Sequence, residues 1–290
     1  MGAVLGCEPE WIRSVSGIEE RRFADDGDTV ASMGTNAARN CLNAAGIEPA
    51  GIDYLICSSG SAERRFPGPA VEISHALGCT GIPALDLPLA SAGSLVALDL
   101  ARDLVRRYKR VLVVASEKMS TIAMMEPVER GVSMLFGDGA GACLVSEEPG
   151  PLEVVDSLIV ADGKYANDLA LPFGAPLSMN GRSVILQASR KVPRSIEDLL
   201  GRNHLKPDDV TSYVMHQANL NLITKIANTL GVDSERFFAN IASYGNTSSA
   251  SLLIAASEWL KSSGLRKSEH AVFTVFGAGF QWGAMLLRGT

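Results

Sequence analysis

Three polar residues stand where a chain of alternating strands and helices gathers its chemistry, beyond the carboxyl ends of strands where helices begin. Ser91, in DLPLASAGS (86–94), is predicted to open a helix after a short strand. His216, in VMHQANL (214–220), ends an apolar strand, and Asn246, in SYGNTSSAS (243–251), opens another helix. A serine at a helix N-terminus has backbone N–H groups and the helix dipole aimed at any oxyanion its oxygen creates. The same serine also reads as a helix cap, His216 as a structural histidine and Asn246 as a turn residue. No single one of them settles the matter.

The elements that must position these residues occur in an order that repeats. Helical spacing over 30–45 is followed by the strand 52–60, a helix over 68–77 stopped by Gly78, the short strand 84–87, a helix over 91–107 and the strand 110–116. The second half repeats this with a helix over 189–201, the strand 211–216, a helix over 220–230 stopped by Gly231, a short strand near 237–240, a helix over 247–262 and the strand 270–276. Between the halves, 130–150 reads as a hairpin around GDGAG, and 161–185 is the long irregular segment. Strands alternating with helices imply α/β architecture, with two duplicated, mostly parallel sheet halves: residues 1–150 carry Ser91, and residues 151–290 carry His216 and Asn246. Duplication would bring the three strand ends face to face.

Composition narrows the function. The 290 residues are 47% hydrophobic, 20% charged and 6% aromatic, as in a folded enzyme rather than a disordered or fibrous chain. Lys+Arg 26 against Asp+Glu 32 leaves a net charge of −6, without the basic runs of a nucleic-acid binder. No apolar stretch reaches the roughly 18 residues needed to span a bilayer, and no secretory leader opens the sequence. Cys7, Cys41, Cys57, Cys79 and Cys143 are odd in number and scattered, so neither a disulfide framework nor a metal site is expected. The expectation is a cytoplasmic protein with no membrane, nucleic-acid or metal partner.

Taken with their contexts, these residues resemble the β-ketoacyl-acyl-carrier-protein synthase III family of the thiolase superfamily. HQANL (216–220), YGNTSSAS (244–251), FGDGAGA (136–142) and FGAGFQWGAMLLR (276–288) match the family in order and spacing, as do EWI…SGIEERR (10–22) and LDLPLASAG (85–93). The resemblance covers nearly the whole chain. It implies a five-layer thiolase fold, a homodimer, no cofactor, and acyl-CoA and acyl-carrier protein as partners. In that family a cysteine at a helix N-terminus is acylated, and a histidine and an asparagine assist decarboxylation of malonyl-acyl-carrier protein. His216 and Asn246 carry over. The resemblance also places Trp11, Arg130, Asn219, Gly277 and Gly279 around the acyl-CoA, with Phe66 reaching toward the partner's acyl pocket.

The sequence departs from the pattern at the nucleophile, where Ser91 replaces the cysteine. A hydroxyl is far less acidic than a thiol, so a helix dipole alone does not ionise it. Three explanations stay open: an exchange introduced by design, a natural serine–histidine acyl transfer with His216 as base, or loss of the covalent step. Other departures bear on substrate: Val15 and Asn221 stand where the family often has basic residues, Ser183 and Ile185 replace an acid and an aromatic, and Ser94 replaces a phenylalanine. The family's opening strand has no counterpart before EWI, where MGAVLG stands instead.

Overall fold

Apolar strands bounded by small residues and amphipathic helices with clear stops produce the predicted alternation. In the computed structural model, which describes residues 2–290, the chain begins with one helical turn, α1 (Gly2–Leu5), and α2 (Pro9–Ser16). α3 (Val30–Ala45) starts at a reciprocal cap in which Thr29 Oγ1 accepts the Ser32 N–H and Ser32 Oγ accepts the Thr29 N–H. β1 (Tyr54–Ser58), α4 (Pro69–Leu77), β2 (Ala84–Leu87), α5 (Gly93–Leu104) and β3 (Arg110–Glu117) follow. Two short turns, α6 (Ser120–Ala123) and α7 (Arg130–Ser133), lead to β4 (Gly139–Ser146).

The second half runs through β5 (Leu152–Ala161), the two-residue strands β6 (Leu169–Ala170) and β7 (Ser178–Met179), and the long α8 (Gly181–Arg202). Then come β8 (Ser212–Met215), α9 (Leu220–Leu230), β9 (Phe237–Phe238), α10 (Ile241–Tyr244), α11 (Ala250–Ser262), β10 (His270–Gly277) and β11 (Gln281–Gly289). α4 and α9 end at Gly78 and Gly231, whose φ of +79° and +70° is the left-handed backbone that stops a helix and that glycine adopts without strain.

One sheet has the order β2-β1-β3-β4 and the other β5-β11-β10-β8-β9. Both are mixed: β2, β1 and β3 are mutually parallel with β4 antiparallel, and β9, β8 and β10 are parallel with β11 and β5 antiparallel. The layers follow from which apolar faces are buried together. α3 and α4 cover the outer face of the first sheet through Ala38, Leu42, Ile73 and Leu112. α8 and α9 cover the outer face of the second through Val192, Ile196, Ile226 and Tyr213. α5 and α11 lie between the sheets, where Leu95, Leu98, Leu252 and Trp259 share one core with Val113, Val214 and Phe273. The result is five layers. No helix among the described residues is long and apolar enough to cross a membrane.

Several sequence expectations are corrected. The segment 130–136 is a helical turn followed by a single bridge from Phe136 to Asn246, and the antiparallel partner of β4 is β3. The predicted hairpin therefore does not form. α8 begins at Gly181 rather than 189, because the Asn180 side chain accepts the Ser183 N–H and caps it there. Where the family's opening strand would stand, Gly2–Leu5 forms the helical turn α1. β11, which pairs with β10 from Gly277↔Gln281 to His270↔Arg288, was not anticipated.

Candidate active site

Ser91 does not cap α5. That helix starts two residues later, and Ser91 sits in the preceding turn, buried, with φ +55°, a left-handed conformation that costs a residue with a side chain. It is a sharp strand-turn-helix junction, a geometry that presents a side-chain oxygen ahead of a helix N-terminus. The turn is packed from the far side by the end of β10: a Cβ on Gly277 would lie 2.7 Å from Ala90 O, 2.8 Å from Ala92 N and 2.9 Å from Ser91 Cβ. Only glycine allows that approach.

Asn246 likewise precedes its helix, by four residues, and its backbone is fixed on both sides. Its N–H donates to Leu135 O at 2.9 Å, and its carbonyl accepts the Gly137 N–H at 3.0 Å. Within the turn, Asn246 Oδ1 accepts the Ser248 N–H at 2.9 Å. That bond orients the amide and leaves Nδ2 as a donor with no hydrogen-bond partner among the described residues.

His216 follows β8, is 2% exposed, and donates its backbone N–H to Thr274 O at 2.9 Å. The ring packs edge-on against Phe276, centroids 5.4 Å apart. Burial alone pushes the imidazole pKa down to about 3, so the ring is neutral in ordinary buffers. Its Nδ1 is 2.5 Å from Ser251 Oγ, which also accepts the Gln217 N–H at 3.1 Å. With one lone pair taken by that N–H, the hydroxyl proton has Nδ1 as its acceptor among the described residues. The network therefore assigns the proton of the ring to Nε2, making His216 a hydrogen-bond donor.

The turn 246–251 thus ties the three residues together. Ser248, at φ +50°, accepts the Ser91 N–H on its hydroxyl at 3.0 Å, and Ser251 holds His216. No hydrogen bond joins Ser91 Oγ to His216 among the described residues. Sequence reasoning overlooked Ser248 and Ser251, although the run TSSAS after Asn246 was a signal: three serines in five residues entering an apolar helix have to find buried partners.

The remaining candidates lie further out. Trp11 is half-exposed on α2, and Arg130 is exposed at the start of α7 with its guanidinium beside Gly6. Asn219 caps α9, accepting the Leu222 N–H at 3.2 Å, while its Nδ2 donates to Val15 O at 2.8 Å, so both ends of its amide serve to hold α2 against α9. Asn221 Nδ2 adds a bond to Ser14 O at 3.1 Å. Phe66 is 84% exposed, and its neighbour Arg65 stacks on the exposed Phe173 at 3.8 Å. Gly279 has φ +128° in the β10–β11 turn. A cavity of about 480 Å³ beside α2 is lined by Pro9, Ile12, Ile18, Arg21 and Phe23 and touches none of the three central residues.

The layered, paired sheets thus bring Ser91, His216 and Asn246 to neighbouring strand ends, buried between the two halves. Comparison with known proteins gives the family. Residues 85–163 match the model for 3-oxoacyl-[acyl-carrier-protein] synthase III, and residues 200–289 match that for its C-terminal part. A β-ketoacyl-[acyl-carrier-protein] synthase III of Oleidesulfovibrio alaskensis is 35% identical, covering 99% of this chain and 93% of its own. The crystal structure of 3-oxoacyl-[acyl-carrier-protein] synthase III from Aquifex aeolicus superposes with TM-score 0.93 at 33% identity, covering 98% of this chain and 92% of the other. The priming β-ketosynthase of the R1128 polyketide pathway gives 0.89 at 31% identity over 98% and 89%. The chain belongs to the β-ketoacyl-acyl-carrier-protein synthase III family.

Proposed function

We propose that the chain condenses an acyl-CoA with malonyl-acyl-carrier protein, with Ser91 taking the place of the family's acylated cysteine. The observation that carries this reading is the turn 246–251, which leaves Asn246 Nδ2 and His216 Nε2 as donors. Donors are what decarboxylation requires, because charge moves from the departing carboxylate onto the thioester oxygen as an enolate. In the first step the Ser91 oxygen bonds to the acyl carbon, the C–S bond breaks, and CoA leaves as the thiol with the hydroxyl proton. In the second, malonyl-acyl-carrier protein loses carbon dioxide and its enolate attacks the acyl ester. A C–C bond forms, the ester C–O bond breaks, and Ser91 regains a proton from solvent. No cofactor takes part.

The same reading divides the chain at residue 150 into a half carrying the nucleophile and a half carrying the two donors. Trp11, Arg130 and the Gly277–Gly279 turn border the CoA, while Asn219 serves it by fixing α2. A homodimer covers the outer edge of β2 and the exposed Phe66, which reaches toward the partner subunit's acyl pocket. The scattered, unpaired cysteines support a cytoplasmic setting.

A serine–histidine transfer to another acceptor would need Nε2 as a base, and the Ser251 bond to Nδ1 argues against it. Labelled acyl-CoA tests the proposal. Label is expected as an ester on Ser91, and Ser91→Cys is expected to raise condensation by orders of magnitude, since the rest of the site suits a thiolate. Reversible binding with no ester on either form and no turnover would instead make this an acyl-thioester binder.

A further inference from the structure

The most deeply buried acid in the molecule, Glu117 at the end of β3, has no part in the chemistry above. It is 0% exposed, and no Arg, Lys or His forms an ion pair with it among the described residues. A buried carboxylate without a counter-charge persists only when its oxygens are saturated with donors, and these are. The Gly60 N–H reaches both oxygens, at 3.0 and 3.2 Å. Ser59 Oγ and Ser61 Oγ donate to Oε2 at 3.3 and 2.5 Å. Ser249 donates to Oε1 twice, through its hydroxyl at 2.6 Å and its N–H at 3.2 Å.

The donors come from two places: the loop after β1 in the first half, and Ser249 in the second. Ser249 is the residue next to Ser248, whose hydroxyl accepts the Ser91 N–H and whose N–H orients Asn246. Ser91 and Ser248 both sit in left-handed backbone, at +55° and +50°. Such conformations hold only where the surroundings over-determine them. The strap that joins the two strained serines ends, one residue on, at the Glu117 carboxylate.

We propose that Glu117 is a positioning residue: it clamps the Asn246–Ser249 turn of one half against the Ser91 turn of the other and so fixes where the Asn246 amide points. This rests on the condensing function proposed above for its kinetic consequence, though not for its structural one. Glu117→Gln keeps the size of the side chain and sets an NH₂ group against donors that need an acceptor.

The test measures two things in Glu117→Gln, Ser249→Ala and the double variant. One is site-resolved amide hydrogen exchange. The expected result is exchange at Ser91 faster by about tenfold or more, with β10 and β11 amides unchanged, a local opening rather than a global one. The other is carbon dioxide release from malonyl-thioester. Here kcat is expected to fall about 10²-fold, the scale of a misplaced catalytic group, with KM within about threefold. The double variant is expected to be no worse than the worse single one, because both remove one clamp. Glu117→Asp, which keeps an acceptor, is expected to restore part of the Ser91 protection. Unchanged Ser91 exchange, exchange rising equally throughout β10 and β11, or losses that multiply in the double variant would overturn the proposal. A wild-type protein that releases no carbon dioxide would count against the condensing function alone, and the exchange measurement would still decide the role of Glu117. Should Glu117→Gln not fold, Ser249→Ala carries the same exchange test.

Discussion

His216 illustrates how burial sets chemistry at a single residue. With its pKa pushed down to about 3 by desolvation and Ser251 Oγ at its Nδ1, the ring is neutral, and the proposed condensation uses it as a donor. Carbon dioxide release from malonyl-thioester is therefore expected to show no His216 titration between pH 5 and 8, and a rate that breaks near pH 6.5 in an intact protein would contradict the assignment. Stability behaves differently. The unfolded chain takes up a proton on this ring below its ordinary pKa of about 6.5 and the folded chain does not. Folding is thus expected to weaken as pH falls from there toward 3, by up to about 1.4 kcal/mol per pH unit, and the loss should be smaller in His216→Gln when both are unfolded by urea across that range. Ser94 gives a second test at this scale. Its side chain is fully buried in the first turn of α5 and its Oγ has no hydrogen-bond partner among the described residues. Ser94→Ala is expected to stabilise the protein by about 1 kcal/mol in chemical denaturation.

At the level of elements, local signals carried the helices and strands whose causes are local. α9 spans Leu220–Leu230 as predicted, because its apolar spacing, the Asn219 cap and the Gly231 stop all lie within its own sequence. The Ser91 turn was not legible in the same way. A serine at positive φ is imposed by partners distant in the chain, Ser248 on one side and Gly277 on the other, and nothing within 86–94 encodes it. The segment 130–136 departs from the strand its apolar residues suggest: Arg130–Ser133 forms the turn α7, and β4 takes its antiparallel partner from β3, a strand earlier in the chain. The start of α8 was missed because an asparagine cap reads from sequence as one more polar loop residue. Of the candidate site, Ser91, His216 and Asn246 were legible from their places at strand ends and, for the last two, from the resemblance, while the serines that orient them needed the packed structure. Gly277→Ala tests how tightly β10 closes on that turn. The contacts under 3 Å predict a loss of about 1–3 kcal/mol in denaturant unfolding from overpacking, and a change within error would mean that the Ser91 turn yields easily.

In the whole molecule, the two sheets repeat one plan. The order β2-β1-β3-β4 is matched by β9-β8-β10-β11, with β5 added beyond β11. Ser91 follows β2 and Asn246 follows β9, so equivalent turns of the two halves meet across the middle layer, and His216 joins them from the end of β8. β2 is an outer strand of its sheet, which is the physical ground for expecting a homodimer. Light scattering at micromolar concentration is expected to give twice the chain mass, and a monodisperse monomer would remove that part of the proposal. The central claim is that His216 and Asn246 donate to an enolate whatever nucleophile stands at 91. Release of labelled carbon dioxide from malonyl-thioester tests it most directly. Turnover is expected in the chain as it stands, with a loss of about 10²-fold or more in both His216→Ala and Asn246→Ala. Equal rates in all three proteins would contradict it.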